Sequence, residues 1–249
     1  MKLSNLIFPL LLSSQFVYAL PANFVYLKEV DPGILQEMRY AGDHNFIGRP
    51  IRGYEAGTCI LTNQAAKALS LVQRELRKMS LSLKVYDCYR PAMAVDDFMQ
   101  WSEDLGHQEM KREFYPHVNK ADVFRLGYVG KPSSHSRGST VDITIVPLSA
   151  PPSAKYKKGQ VLVSCIAALA YRFRDNSIDM GTGYDCFDEK AHPFNIETTS
   201  NAFQNRMLLR SIMMKHGFQP YEKEWWHFTL EHEPYPQTLF NFIVRTNSR

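Results

Sequence analysis

Two short motifs, far apart in the chain, constrain its fold more than any other feature, because their side chains make chemical sense only if the fold brings them together. Ser133-Ser134-His135-Ser136-Arg137-Gly138-Ser139-Thr140-Val141-Asp142 lies mid-chain, and Glu224-Trp225-Trp226-His227 lies near the C-terminus. Together they offer two imidazoles and one carboxylate to a metal, with Glu224 to spare. Three protein ligands and one open position are what a catalytic zinc needs, and a free carboxylate beside it can deprotonate water. Taken alone, either half is a weak signal, and a satisfied structural histidine is the ordinary fate of either imidazole. Each half supplies what the other lacks.

Local patterning places these residues. Thr62 can cap a helix over residues 63–79, where Ala65, Leu69, Val72 and Leu76 recur at helical spacing. Residues 82–88 read as a strand, and Pro91 can open a following helix with Ala94, Phe98, Trp101 and Leu105 as its apolar stripe. Arg90 then stands at a strand-to-helix junction. Residues 140–146 are β-branched and read as a strand carrying Asp142. Residues 161–173 have the spacing of a helix within an otherwise loop-like stretch, 147–176. Residues 199–216 read as a helix with Phe203, Met207 and Ile212 inward and Gly217 as its stop. Residues 224–230 read as a strand. In an ideal strand Glu224 and His227 point to opposite faces, so both reach one site only if Glu224 lies on a turn or bulge. Gly138 allows the bend that folds His135 and Asp142 back toward one point.

Composition bounds the rest. The chain has 249 residues, 45% hydrophobic and 22% charged, ordinary for one globular domain with a substantial core. A net charge of +4, scattered along the chain, gives no basis for nucleic-acid binding. Met1-Lys2, the apolar run from Leu6 to Leu12 and Val17-Tyr18-Ala19 read as a secretory signal peptide over residues 1–19, leaving a mature domain at 20–249. No stretch is long enough for a membrane span. The expected location is the periplasm or beyond. Four cysteines in an exported chain fit up to two disulfides, with three connectivities open. Cys59 with Cys88 is the preferred pair, because the segments carrying them are neighbours in sequence.

The two motifs, with Met38-Arg39-Tyr40, Asn45-Phe46-Ile47-Gly48, Tyr86-Asp87-Cys88-Tyr89-Arg90-Pro91 and Asp179-Met180-Gly181-Thr182-Gly183-Tyr184-Asp185, resemble the zinc D-alanyl-D-alanine dipeptidases. That family is related to the zinc D-Ala-D-Ala carboxypeptidases and the hedgehog signalling domain. The matches run in the family's order from about Phe24 to Tyr235. The resemblance implies one zinc ion per chain on His135, Asp142 and His227, with Glu224 as general base and Arg90 facing the scissile carbonyl oxygen. It implies that Tyr40 and Asp185 hold the ammonium of a small dipeptide and that Ser133 contacts its backbone or carboxylate end. The stretch 147–176 is longer than in the resistance-type relatives. His44, His107, His117, His192, His216 and His232 lie outside the motifs and read as surface or structural.

Strands and helices do not alternate strictly, which favours an α+β domain with a central, mainly antiparallel sheet flanked by helices and the zinc site at the sheet. The expected activity is hydrolysis of D-alanyl-D-alanine. Two alternatives are a carboxypeptidase acting on cell-wall peptides and a non-catalytic, zinc-stabilised binding module. Asp185 argues against the first, and the presence of both Glu224 and Arg90 against the second. Oligomeric state is not readable from the sequence.

Overall fold

The computed structural model describes residues 19–247. In chain order its elements are β1 (Phe24–Tyr26), α1 (Leu27–Val30), β2 (Leu35–Gln36), β3 (Ile60–Thr62), α2 (Asn63–Arg77), β4 (Leu81–Asp87), α3 (Ala92–Glu103), α4 (Lys111–Phe114), β5 (Thr140–Pro147), α5 (Ser200–Lys215), β6 (Phe218–Tyr221) and β7 (Glu224–Leu230). One sheet has the order β2-β4-β5-β7-β6, and β1 pairs with β3 in a separate ribbon. Only β2 and β4 run parallel; every other neighbouring pair is antiparallel. The expected α+β architecture is therefore present as a single domain. Among the described residues no helix is long and apolar enough to cross a membrane.

The two long helices start where their caps direct. Thr62 accepts a hydrogen bond from the Ala65 amide at the start of α2, and Thr199 accepts one from Ala202 at the start of α5. Each such cap stabilises a helix by about 1 kcal/mol, because it satisfies an amide that has no partner within the helix. Gly217, at φ +84°, ends α5 in the left-handed region where glycine is favoured. Leu69, Val72 and Leu76 of α2, with Leu209 and Met213 of α5, pack on Leu83, Val85, Ile143 and Ile145 of the sheet. Residues 82–87 and 140–146 are buried throughout, so the two central strands are covered on both faces.

Three expectations change in detail. Pro91 is the extended residue preceding α3, at ψ 144°, rather than its first helical residue, and Leu105 lies beyond the helix and is exposed. On α5 the inward positions are Ala202, Arg206, Leu209, Ile212 and Met213, while Phe203 faces outward. Residues 161–173 form turns rather than a helix. Val161 is 79% and Tyr171 74% exposed, so a helical apolar spacing here has no surface to bury against. The excursion is tied down by other means. Cys165 bonds to Cys186, the Asp175 carboxylate takes a hydrogen bond from Tyr86 and pairs with Arg39, and Cys59 joins Cys88 elsewhere, as preferred.

Candidate active site

Cross-strand register assembles the site. Asp87 of β4 pairs with Asp142 of β5, and Asp142 pairs with His227 of β7, so three strands carry their polar residues to one end of the sheet. The turn before β5 delivers His135. Residues 134–137 form a 3-10 turn that Gly138 closes at φ +83°. A side chain at Gly138 would meet the Phe24 ring at 2.3 Å, so both backbone conformation and space demand glycine there.

The alternation problem at Glu224 is solved by a bulge. Pro220 of β6 pairs with Phe228, whereas the next residue, Tyr221, pairs with Glu224. The extra residues of β7 break the two-residue period, as bulges do. Glu224 Oε2 thereby comes within 3.5 Å of His227 Nδ1.

Donor atoms converge on one point. His135 Nε2 and His227 Nδ1 lie 3.3 Å apart, and each faces Asp142 Oδ1, at 3.3 and 3.2 Å. His135 Nδ1 lies 2.8 Å from the carbonyl oxygen of Cys88, where it can only donate, which leaves Nε2 with its lone pair in the neutral ring. His227 Nε2 lies 3.3 Å from Ser134 Oγ, leaving Nδ1 on the Asp142 side. Asp142 Oδ1 is buried and takes no hydrogen bond from any described residue. Lone pairs gathered in this way repel unless a cation lies among them, and two imidazoles with a carboxylate suit zinc and its neighbours in the transition series. Among the described residues, His135, Asp142 and His227 form the one group of this kind, with ligand atoms within 4.8 Å of each other.

The surrounding charge points the same way. Burial, then the negative charges of Asp142 and Asp185, push Glu224 well above the usual carboxylate range. Burial, then Asp142, raise Asp185 to about 8. Three carboxylates in one buried pocket are short of positive charge.

A cavity of about 370 Å³ opens onto this cluster and is lined by all eight residues singled out from the sequence: Tyr40, Arg90, Ser133, His135, Asp142, Asp185, Glu224 and His227. It is the size of a small-molecule site. No other histidine lines it. Arg90 donates from Nε to Asp87 Oδ2 at 2.9 Å, lies over the rings of Tyr40 and Phe98, and has a terminal nitrogen 3.6 Å from Asp142 Oδ2. Its ion pair with Asp87 thus coexists with a place at the cavity. Tyr40 donates to Asp185 Oδ2 at 2.8 Å. Trp225 and Trp226 are core residues, Trp225 donating to Thr182 Oγ1.

Several contacts were not anticipated. Tyr184 donates to Asp142 Oδ2 at 3.1 Å. Asp87 accepts from Tyr54 at 2.7 Å while holding Arg90. Arg137 lines the cavity. Tyr184, Asp87 and Arg137 sit inside the recognised motifs, which was the available signal; their partners depend on register that no single segment reveals.

Comparisons with known proteins agree with this geometry. The family described as D-ala-D-ala dipeptidase matches residues 21–150 and 160–245, so the stretch left unmatched falls within the excursion after β5. A D-alanyl-D-alanine dipeptidase of Enterococcus faecalis is 36% identical over 222 residues, covering 89% of this chain and 98% of its own. Those of Enterococcus faecium and Streptomyces coelicolor are 33% and 34% identical, covering 90% and 89% of this chain and 98% of their own. With the family pattern spanning nearly all of the described chain, this protein belongs to the D-ala-D-ala dipeptidase family of peptidases.

Proposed function

We propose that this chain is an exported zinc dipeptidase that hydrolyses D-alanyl-D-alanine to two D-alanines. The observation that carries the reading is the buried, unpartnered Asp142 oxygen between two imidazole nitrogens, with Glu224 and Arg90 against the same point. His135, Asp142 and His227 would hold the ion. When bound, zinc supplies a Lewis acid for the scissile carbonyl and acidifies water.

The chain's own residues supply the remaining chemistry. Glu224 takes a proton from the attacking water and returns it to the leaving amine, and its buried carboxylate favours accepting that proton. Arg90 is held rigidly by Asp87 and two rings, so its charge meets the developing oxyanion with no reorganisation. Asp185, oriented by Tyr40, receives the substrate ammonium, and that cation restores the ionised form which burial disfavours. Ser133, at the cavity wall, contacts the substrate backbone or its carboxylate end.

Asp185 provides the test. Purified holoenzyme should cleave D-Ala-D-Ala and discriminate against its N-acetyl form, because an amide cannot pair with the carboxylate. Asp185→Asn should raise KM by about 10–100-fold, the worth of a charged hydrogen bond, and erase that discrimination. Equal cleavage of free and blocked dipeptide by the unaltered protein would overturn the dipeptidase reading in favour of a carboxypeptidase.

Export rests on chemistry as well as on the leader. The two disulfides support maturation in an oxidising compartment, where such bonds form and persist. The proposed signal peptide, residues 1–19, lies outside the described residues except for Ala19. Protein recovered from the periplasm or medium should begin near Leu20, by N-terminal sequencing; recovery of intact Met1 there would refute the cut.

A further inference from the structure

The proposed reaction leaves one end of the substrate without a charged partner. A free dipeptide brings an ammonium and a carboxylate into a cavity walled partly by Phe46 and Phe98, and an unpaired carboxylate is costly to bury there. The cavity lining contains two cationic side chains besides its histidines, Arg90 and Arg137. Arg90 is already committed. Asp87 holds its Nε, Tyr40 and Phe98 flank its guanidinium, and the end nearest Asp142 is the one assigned to the oxyanion. Ser133 offers only a neutral hydroxyl.

We propose that Arg137 receives the carboxylate of the substrate, so that the site reads both ends of a free dipeptide. The proposal rests on the dipeptidase reading above and adds a specificity residue to it. Arg137 ends the same 3-10 turn that carries His135, so its backbone is fixed relative to the proposed metal ligands. Its Nε donates to Glu233 Oε1 at 2.7 Å. No described residue accepts from its two terminal nitrogens, and its side chain keeps 21% exposure. An arginine held through Nε leaves the end-on fork of two N–H groups, the geometry that takes a carboxylate through two parallel hydrogen bonds. Glu233 is mostly buried and does not line the cavity, so it acts as the clamp that aims the guanidinium.

The ordinary alternative is that Arg137 and Glu233 form only a structural ion pair. The two readings separate on substrates that differ at one end. Holoenzyme should be assayed on D-alanyl-D-alanine and on D-alanyl-D-alaninamide, whose C-terminus carries no charge. The unaltered protein should prefer the free acid. Arg137→Gln should raise KM for the acid by about 10–100-fold, as expected for loss of a charged hydrogen-bonding partner. It should leave the amide's KM unchanged and change kcat less, so the preference collapses toward unity. Arg137→Lys should recover part of it, and Glu233→Gln should lower it partially by loosening the fork. Zinc content should stay at the unaltered level in all three. An Arg137→Gln protein that keeps the preference for the acid overturns the assignment. So does an unaltered protein that cleaves acid and amide equally well, a result that needs no variant to fold. A protein that cleaves no dipeptide at all overturns the dipeptidase reading itself, and this inference with it.

Discussion

Glu224→Gln is expected to lose about 10²–10⁴-fold in kcat, the contribution of a positioned general base, while keeping its metal and its fold. Glutamine has nearly the same shape and can still bond to its neighbours, so packing in this buried position is conserved. What it cannot do is accept a proton from water. The substitution also removes one of three carboxylates that burial sets against each other, so it should not destabilise the protein. Steady-state kinetics beside metal analysis and a thermal melt check the outcome. Turnover near the unaltered rate would mean that another group is the base.

The second large effect concerns the ligands. His135→Ala, Asp142→Ala and His227→Ala should each abolish stoichiometric zinc and activity together. Stability supplies a readout that does not depend on catalysis. A ligand bound only by the folded state stabilises it by about 2.7 kcal/mol at a hundredfold excess over its dissociation constant. Added zinc should therefore raise the melting temperature of metal-stripped protein and fail to do so in the variants. Asp142→Ala carries one extra expectation, since it leaves the Tyr184 hydroxyl and the Arg90 terminus without the oxygen they face. A full zinc equivalent retained by all three variants would sink the ligand set.

Much of this site was legible because its parts are compact in sequence. His135 and Asp142 fall within one turn and the strand it enters, Glu224 and His227 within one strand. The helices at 63–77 and 200–215 were legible through their threonine caps and their glycine or polar ends. The failures have a common cause. Residues 161–173 carry an apolar spacing without a face to bury it on, and Phe203 lies on the side of α5 that the core does not cover. Periodicity states which residues could share a face; only a neighbouring element decides whether that face is buried.

Local chemistry in the sequence therefore determined which groups the site could draw on: the imidazoles, the carboxylates, the arginine at the strand end, and a glycine where the backbone must turn left-handed. Tertiary structure alone decided how they meet. The bulge in β7 turns Glu224 to the side of His227, the register of β4, β5 and β7 aligns Asp87, Asp142 and His227, and Arg137 is held at the cavity by Glu233. A side chain's type is a property of its own residue. Its partner is set by strand register and by contacts across long sequence separations, which depend on the packing of the whole domain rather than on any segment of it.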